Sequence, residues 1–161
     1  MGYKREARAM IDTVSRGTVA ARPTLVVAAH TTWPEFPGLW RPLLDEVWAF
    51  LRAAGITHGC PNVMLYLDDD PHVEVGVLLP AVRPTELPEL TGRVVGSALP
   101  AGRVATTVHH GPYDGLGATH REVARWCAAH GHRPAGPRWE IYGPHRENPA
   151  DIEVEVSYLL T

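Results

Sequence analysis

An α+β fold made from a duplicated β-α-β-β unit is what this chain predicts, and three observations carry the prediction. Strand-like and helix-like segments occur in the same order twice, and each helical segment ends on a glycine, Gly55 and Gly131. Local matches recur between the copies. "WAFLRAAGITHGCPNVMLYLD" lies beside "WCAAHGHRPAGPRWEIYG", setting Trp48 with Trp126, Pro61 with Pro137 and Tyr66 with Tyr142, and further upstream His30 with His109. Two copies imply a pseudo-twofold domain rather than a solenoid, which needs three or more. Side by side they predict an antiparallel sheet with both helices on one face and a ligand cleft on the other.

Residues 1–22 are an N-terminal arm or an edge strand. The first βαββ half spans 23–80. It opens with a strand, "TLVVAAHT" (24–31), followed by a helix within 36–55 whose Leu39, Leu43, Val47, Phe50, Leu51 and Ala54 recur at helical spacing. Pro37 and Pro42 delay its expected start to about Arg41, and Gly55 ends it. "NVMLYLD" and "HVEVGVLLP" flank the acidic turn "DDDP" as a hairpin. Residues 81–101, rich in Pro and Gly, form a linker in which "RVVGSAL" offers an extra strand. The second half, 102–161, repeats the order: the strand "GRVATTVHHG", the helix "YDGLGATHREVARWCAAHG", and a hairpin of "PRWEIYG" with "DIEVEVSYLL". The whole reads as one domain.

The composition narrows the function. The chain has 161 residues, is 45% hydrophobic and 20% charged, and carries a formal net charge of −3. That balance argues against direct DNA binding, which wants a concentrated basic surface. No apolar run reaches the roughly 20 residues of a membrane helix, and the N-terminus lacks a secretory apolar core. Two cysteines without paired spacing predict a reduced, cytoplasmic protein. Nine histidines form no recognisable ligand array, so neither metal nor cofactor is expected. Five Trp and five Tyr suit a wet pocket as well as a core.

The strand "PRWEIY" turns Arg138, Glu140 and Tyr142 to one face and Trp139 and Ile141 to the other. On the matching strand Asn62, Met64 and Tyr66 share a face. Glu140 is either a solvated residue on an open sheet face or the acid of a pocket at the pseudo-twofold. Tyr113 either packs locally at a helix start or lines the cleft mouth. Trp33 and Trp40, in "TTWPEFPGLW", offer indoles for stacking at a cleft rim, with core packing the alternative for Trp40. Arg138 reads as a surface residue, with a role in holding Glu140 ionised as the alternative.

These segments resemble the GyrI-like (gyrase-inhibitor-like) effector-binding family, related to SOUL domains. The resemblance rests on His109, Gly111, Pro112 and Tyr113 of an H-x-G-P-Y strand end. Pro137, Glu140 and Tyr142 of a P-x-x-E-x-Y strand add to it, as does an acidic closing strand, and it extends from about residue 24 to 160. It implies a small hydrophobic, planar, multidrug-like ligand held in a cleft between the halves, with Glu140 as the buried acidic contact. Ligand-contacting candidates are then Glu140, Tyr142, Tyr113, Tyr66, Met64, Trp33 and Trp40. The family includes sensors fused to DNA-binding domains. About 22 residues before the first clear strand are too few for one here, so the expectation is a stand-alone module with a protein partner as an option. Similar stand-alone members hydrolyse cyclopropane-bearing DNA-alkylating antibiotics. The alternative is therefore a cofactor-independent hydrolase in which Glu140 and a tyrosine, Tyr113, are catalytic.

Overall fold

The computed structural model describes residues 10–80 and 89–161. The start of the N-terminal arm (1–9) and the linker residues 81–88 lie outside the described residues. The N-terminal arm and first half contribute β1 (Met10–Ile11), β2 (Ser15–Val19), β3 (Arg22–His30), α1 (Phe36–Ala53), β4 (Asn62–Tyr66) and β5 (His72–Leu78). The linker and second half contribute β6 (Val94–Leu99), β7 (Gly102–His110), α2 (Leu116–Ala129), β8 (Pro134–Tyr142) and β9 (Glu153–Leu160). The described strands form one antiparallel sheet in the order β1-β7-β9-β8-β4-β5-β3-β6, with β2 also paired to β7. The α+β class, the antiparallel sheet and the two helices agree with the sequence.

The two units meet at the β4–β8 seam, where Met64 faces Glu140 and Tyr66 faces Arg138 across the strands. Each unit hands its leading strand to the other, β2 to β7 and β6 to β3. The registers are continuous: Ser15 to Val19 run against Thr106 to Gly102, and Arg22 to Val27 against Leu99 to Val94. One long two-stranded ribbon therefore ties both ends of the sheet together and curls it.

This curl explains a correction. Helices and cleft residues do not lie on opposite faces. Met64 and Tyr66 share one core with Leu43, Val47 and Leu51 of α1, and Tyr142 packs against it. Val123 and Cys127 of α2 share another with Val154 and Val156. The site residues thus sit on the helix side, in the seam between α1 and α2. The opposite face is filled by its own side chains, with Val63, Leu65, Leu78, Leu99, Val104 and Trp139 forming a third core. A flat sheet would leave that face open to a ligand; a curled one packs it like a small barrel.

α1 also starts earlier than Arg41. Pro37 falls in its first turn, where a missing N–H costs nothing, and Pro42 is accommodated inside the helix. Opposite Pro42, one turn back, stands Gly38, which has no side chain to crowd the proline ring. Gly55 and Gly131 follow the two helices with φ of 81° and 70°, a backbone region that suits glycine at a helix end. No helix among the described residues is long and apolar enough to cross a membrane.

Candidate functional site

Strand alternation on β8 aims Glu140 and Tyr142 at the helix side, and the β4 pairing brings Met64 and Tyr66 beside them. Glu140 is only 3% exposed. A carboxylate so placed must find donors, and it has three. The hydroxyls of Tyr66 and Tyr142 each donate to Oε1 at 2.8 Å. Nε2 of His120, on α2, donates to Oε2 at 2.7 Å. The relay extends further: in the neutral imidazole, Nδ1 of His120 accepts from the Tyr158 hydroxyl at 2.8 Å. The Met64 sulfur lies 3.6 Å from the Tyr66 oxygen and 3.7 Å from that of Tyr142, as a weak acceptor.

Burial, reinforced by the charge of Glu140, holds the Tyr66 and Tyr142 hydroxyls well above the ordinary phenol range. Burial pushes Tyr158 up to about 12. All three are therefore neutral donors near pH 7, not phenolate bases.

Two aromatic residues flank the carboxylate at the surface. Trp33 is 41% exposed and Tyr113 is 54% exposed. Trp33 lies 5.7 Å from Tyr66 and Tyr113 lies 5.8 Å from Tyr142, centroid to centroid. Phe36, at the start of α1, meets Tyr66 edge-on at 5.6 Å. Trp40 packs against the α1 core that contains Met64 and Tyr66, and its ring is approached by Arg41. Arg138 does not project freely into solvent. Its guanidinium lies 5.5 Å from the Trp33 ring and 6.0 Å from those of Tyr66 and Tyr158, and it pairs with Asp69 at 3.1 Å.

The H-x-G-P-Y segment has a physical role in this arrangement. His109 is fully buried, with Nε2 donating to the Pro112 carbonyl at 2.9 Å. Because a carbonyl can only accept, the proton resides on Nε2, and Nδ1 accepts from the Thr119 hydroxyl at 2.7 Å. Gly111 turns the chain with φ of 111°. Together these pin the strand end to α2 and hold Tyr113 over Tyr142.

The structure thus brings Glu140, Tyr142, Tyr66 and Met64 into contact and sets Trp33 and Tyr113 at the edges. His120 and Tyr158 were not singled out from sequence. His120 falls one residue past the buried position Thr119 and reads as a polar helix residue. Tyr158 continues the apolar alternation of Val154 and Val156 on β9 and so reads as a core residue, without a motif around it. Glu155 faces away from Glu140: it pairs with Ile141 and lines a separate groove of about 740 Å³ with Val108, Trp48 and His145. Of the linked groups only Tyr142 borders that groove; Glu140, Tyr66, His120 and Tyr158 are not part of its lining.

A model of the GyrI-like small molecule binding domain matches residues 17–159. No curated protein matches the sequence. The isolated C-terminal domain of EcmrR superposes with a TM-score of 0.70 at 16% identity, covering 95% of this chain and 98% of that one. The chain spans only 61% of EcmrR as seen in its complex with DNA. A hydrolase from Listeria innocua aligns with a TM-score of 0.58 at 17% identity, covering 99% and 96% of the two chains. SAV2435 bound to tetraphenylphosphonium aligns with a TM-score of 0.65 at 11% identity, covering 93% and 94%. At these identities the three share its fold.

Proposed function

The chain belongs to the GyrI-like small molecule binding domain family, and from that premise we propose that it binds planar, hydrophobic, multidrug-like compounds in the α1–α2 seam, favouring cations. It acts in the cytoplasm, either sequestering such compounds or signalling their presence to a partner protein. One observation carries this reading. A buried carboxylate is ringed by aromatic side chains and bonded by two phenols and an imidazole, while Arg138 is held by Asp69. A delocalised cation sliding between Tyr66 and Tyr142 would gain stacking and an electrostatic partner in a low-dielectric site. Entry requires Trp33 or Tyr113 to swing aside, since Glu140 is closed off at rest. The tetraphenylphosphonium bound to SAV2435 is likewise a hydrophobic aromatic cation, although not a planar one.

Calorimetric titration with ethidium, beside its neutral relative 6-phenylphenanthridine, tests the anchor. Ethidium should bind more tightly, and Glu140→Gln should weaken it about 10- to 100-fold while leaving the neutral compound within a few-fold. Equal affinity of both compounds for both proteins would remove Glu140 from the account.

The chain from Tyr158 through His120 to Glu140 favours a second reading, hydrolysis of cyclopropane-bearing compounds. Glu140 would take a proton from water as the oxygen attacks the strained ring carbon. The breaking C–C bond would send its electrons into a conjugated carbonyl, which takes a proton from a tyrosine hydroxyl. Glu140, bonded to Tyr66 and Tyr142, would then return its proton to the phenolate left behind, restoring both groups. The net change is addition of water. Mass spectrometry of such a compound with substoichiometric protein should show many turnovers, lost in Glu140→Gln; unchanged compound would leave binding alone.

A further inference from the structure

We propose that the end of β3 and the turn after β4 form a binding site for a transition metal ion of the zinc class, with His30, His72 and Asp70 as its ligands. His30 and His72 are direct cross-strand partners on β3 and β5, so their side chains project from the same face. Their rings stack, with centroids 4.0 Å apart and planes 5° from parallel. Asp70 Oδ1 lies 3.0 Å from His30 Nε2. One donor atom from each of the three residues falls within 4.8 Å of the others.

An ion about 2.0–2.2 Å from each donor draws its ligands to roughly 3–3.5 Å separation. All three side chains are exposed and free to rotate that far, so the set closes without backbone movement. The backbone beneath them is pinned, with Thr31 N–H donating to the Pro71 carbonyl at 3.1 Å and Leu67 N–H to that of His72 at 2.9 Å.

Asp68 supplies the orientation that metal-bound imidazoles usually receive from a carboxylate. Its Oδ2 accepts from His72 Nδ1 at 2.8 Å and its Oδ1 from the His72 backbone N–H at 3.0 Å. That leaves Nε2 of His72 for the ion. Two imidazoles and one carboxylate, with water in the fourth position, suit zinc, nickel or copper. They do not suit magnesium or calcium, which take oxygen donors. A surface His–Asp pair on its own would be worth little; two face-to-face imidazoles with a carboxylate on each are a prearranged chelate.

The site has a structural consequence for the aromatic seam. Asp69, between the two carboxylates, pairs with Arg138, and its carbonyl accepts the Trp33 indole N–H at 3.2 Å. An ion on one side of the turn stiffens the residues that hold Trp33 and Arg138 on the other.

Titration of the untagged full chain with zinc chloride alone tests the site, independently of any organic ligand. One saturable zinc per chain is expected, with a rise in Tm and a tetrahedral cobalt(II) spectrum on substitution. His30→Ala and His72→Ala should each weaken zinc more than tenfold, and Asp68→Asn about tenfold. Because the three side chains are exposed, the metal-free Tm of the variants should match the parent. His30→Gln and His72→Gln serve if an alanine variant does not. Absence of saturable binding, or zinc affinity unchanged in both histidine variants, would overturn the proposal.

Discussion

The two halves share a scaffold and differ in what they bury. On α1 the buried stripe is Leu43, Val47 and Leu51; on α2 it is Thr119, Val123 and Cys127. With these stripes matched, Leu44 stands where the second half has His120. The strand registers extend the match. Tyr66 faces Val73 and Tyr142 faces Val154, so Met64 corresponds to Glu140, Val77 to Tyr158, and Gly76 to Ser157. Trp33 then corresponds to Tyr113, each stacked beside its own half's tyrosine. One half therefore supplies an apolar wall of Leu44, Met64 and Val77, and the other supplies His120, Glu140 and Tyr158 at the same places. The lesson is that a fold asks each position for side and volume, while polarity enters only as a complete set. A buried carboxylate alone would be costly; with every oxygen bonded, it is tolerated.

The comparison can be broken most severely at Gly76. A Cβ there would sit 1.9 Å from the Leu25 carbonyl oxygen and 2.8 Å from the Val26 Cα, both backbone atoms that cannot rotate away. Gly76→Ala should cost more than about 3 kcal/mol in urea unfolding. Ser157→Ala, at the equivalent position, loses a bond to Thr106 and should cost about 1 kcal/mol. Similar losses at the two sites would mean that the halves curl alike.

Converting one half into the other sharpens the comparison. His120→Leu copies Leu44, strands Glu140 Oε2 and the Tyr158 hydroxyl, and should cost about 1–3 kcal/mol. Adding Glu140→Met and Tyr158→Val completes the apolar set and should restore most of that loss, with the advantage for ethidium gone. A triple variant less stable than the single would show that the two walls are not interchangeable.

The smallest effect per residue lies in alkaline unfolding. Tyr66 and Tyr142 have folded pKa values raised above the ordinary 10.0 by burial and the Glu140 charge. Above pH about 10 the unfolded chain loses protons that the folded chain keeps, so stability falls as pH rises. The slope is at most about 1.4 kcal/mol per pH unit for each of these tyrosines. Tyr66→Phe and Tyr142→Phe should each flatten the slope by one tyrosine's share. Unchanged slopes would show that neither hydroxyl is held neutral by its half.

Much of the architecture could be read from periodicity. Apolar spacing located both helices, glycines located their ends, and alternation put Arg138, Glu140 and Tyr142 on one face with Met64 and Tyr66 beside them. The residue-by-residue match was less exact. Trp48 aligns with Trp126 by identity, yet the buried stripes set Phe50 against Trp126. The strand registers likewise pair His30 with His110 rather than His109. Identical residues attract an alignment, whereas burial decides it.

By itself the sequence determined the duplicated α+β order, the family resemblance and the nomination of Glu140, because each depends on local spacing or a contiguous motif. Only the tertiary structure decided which face of the sheet carries Glu140 and its bonded partners. The exchange of β2 and β6 between halves curls the sheet, and no local pattern encodes that exchange. Tertiary structure likewise brought His120 and Tyr158 to the carboxylate and stacked His30 on His72. Those contacts join residues 20 to 42 positions apart, and they exist only once distant elements have paired or docked.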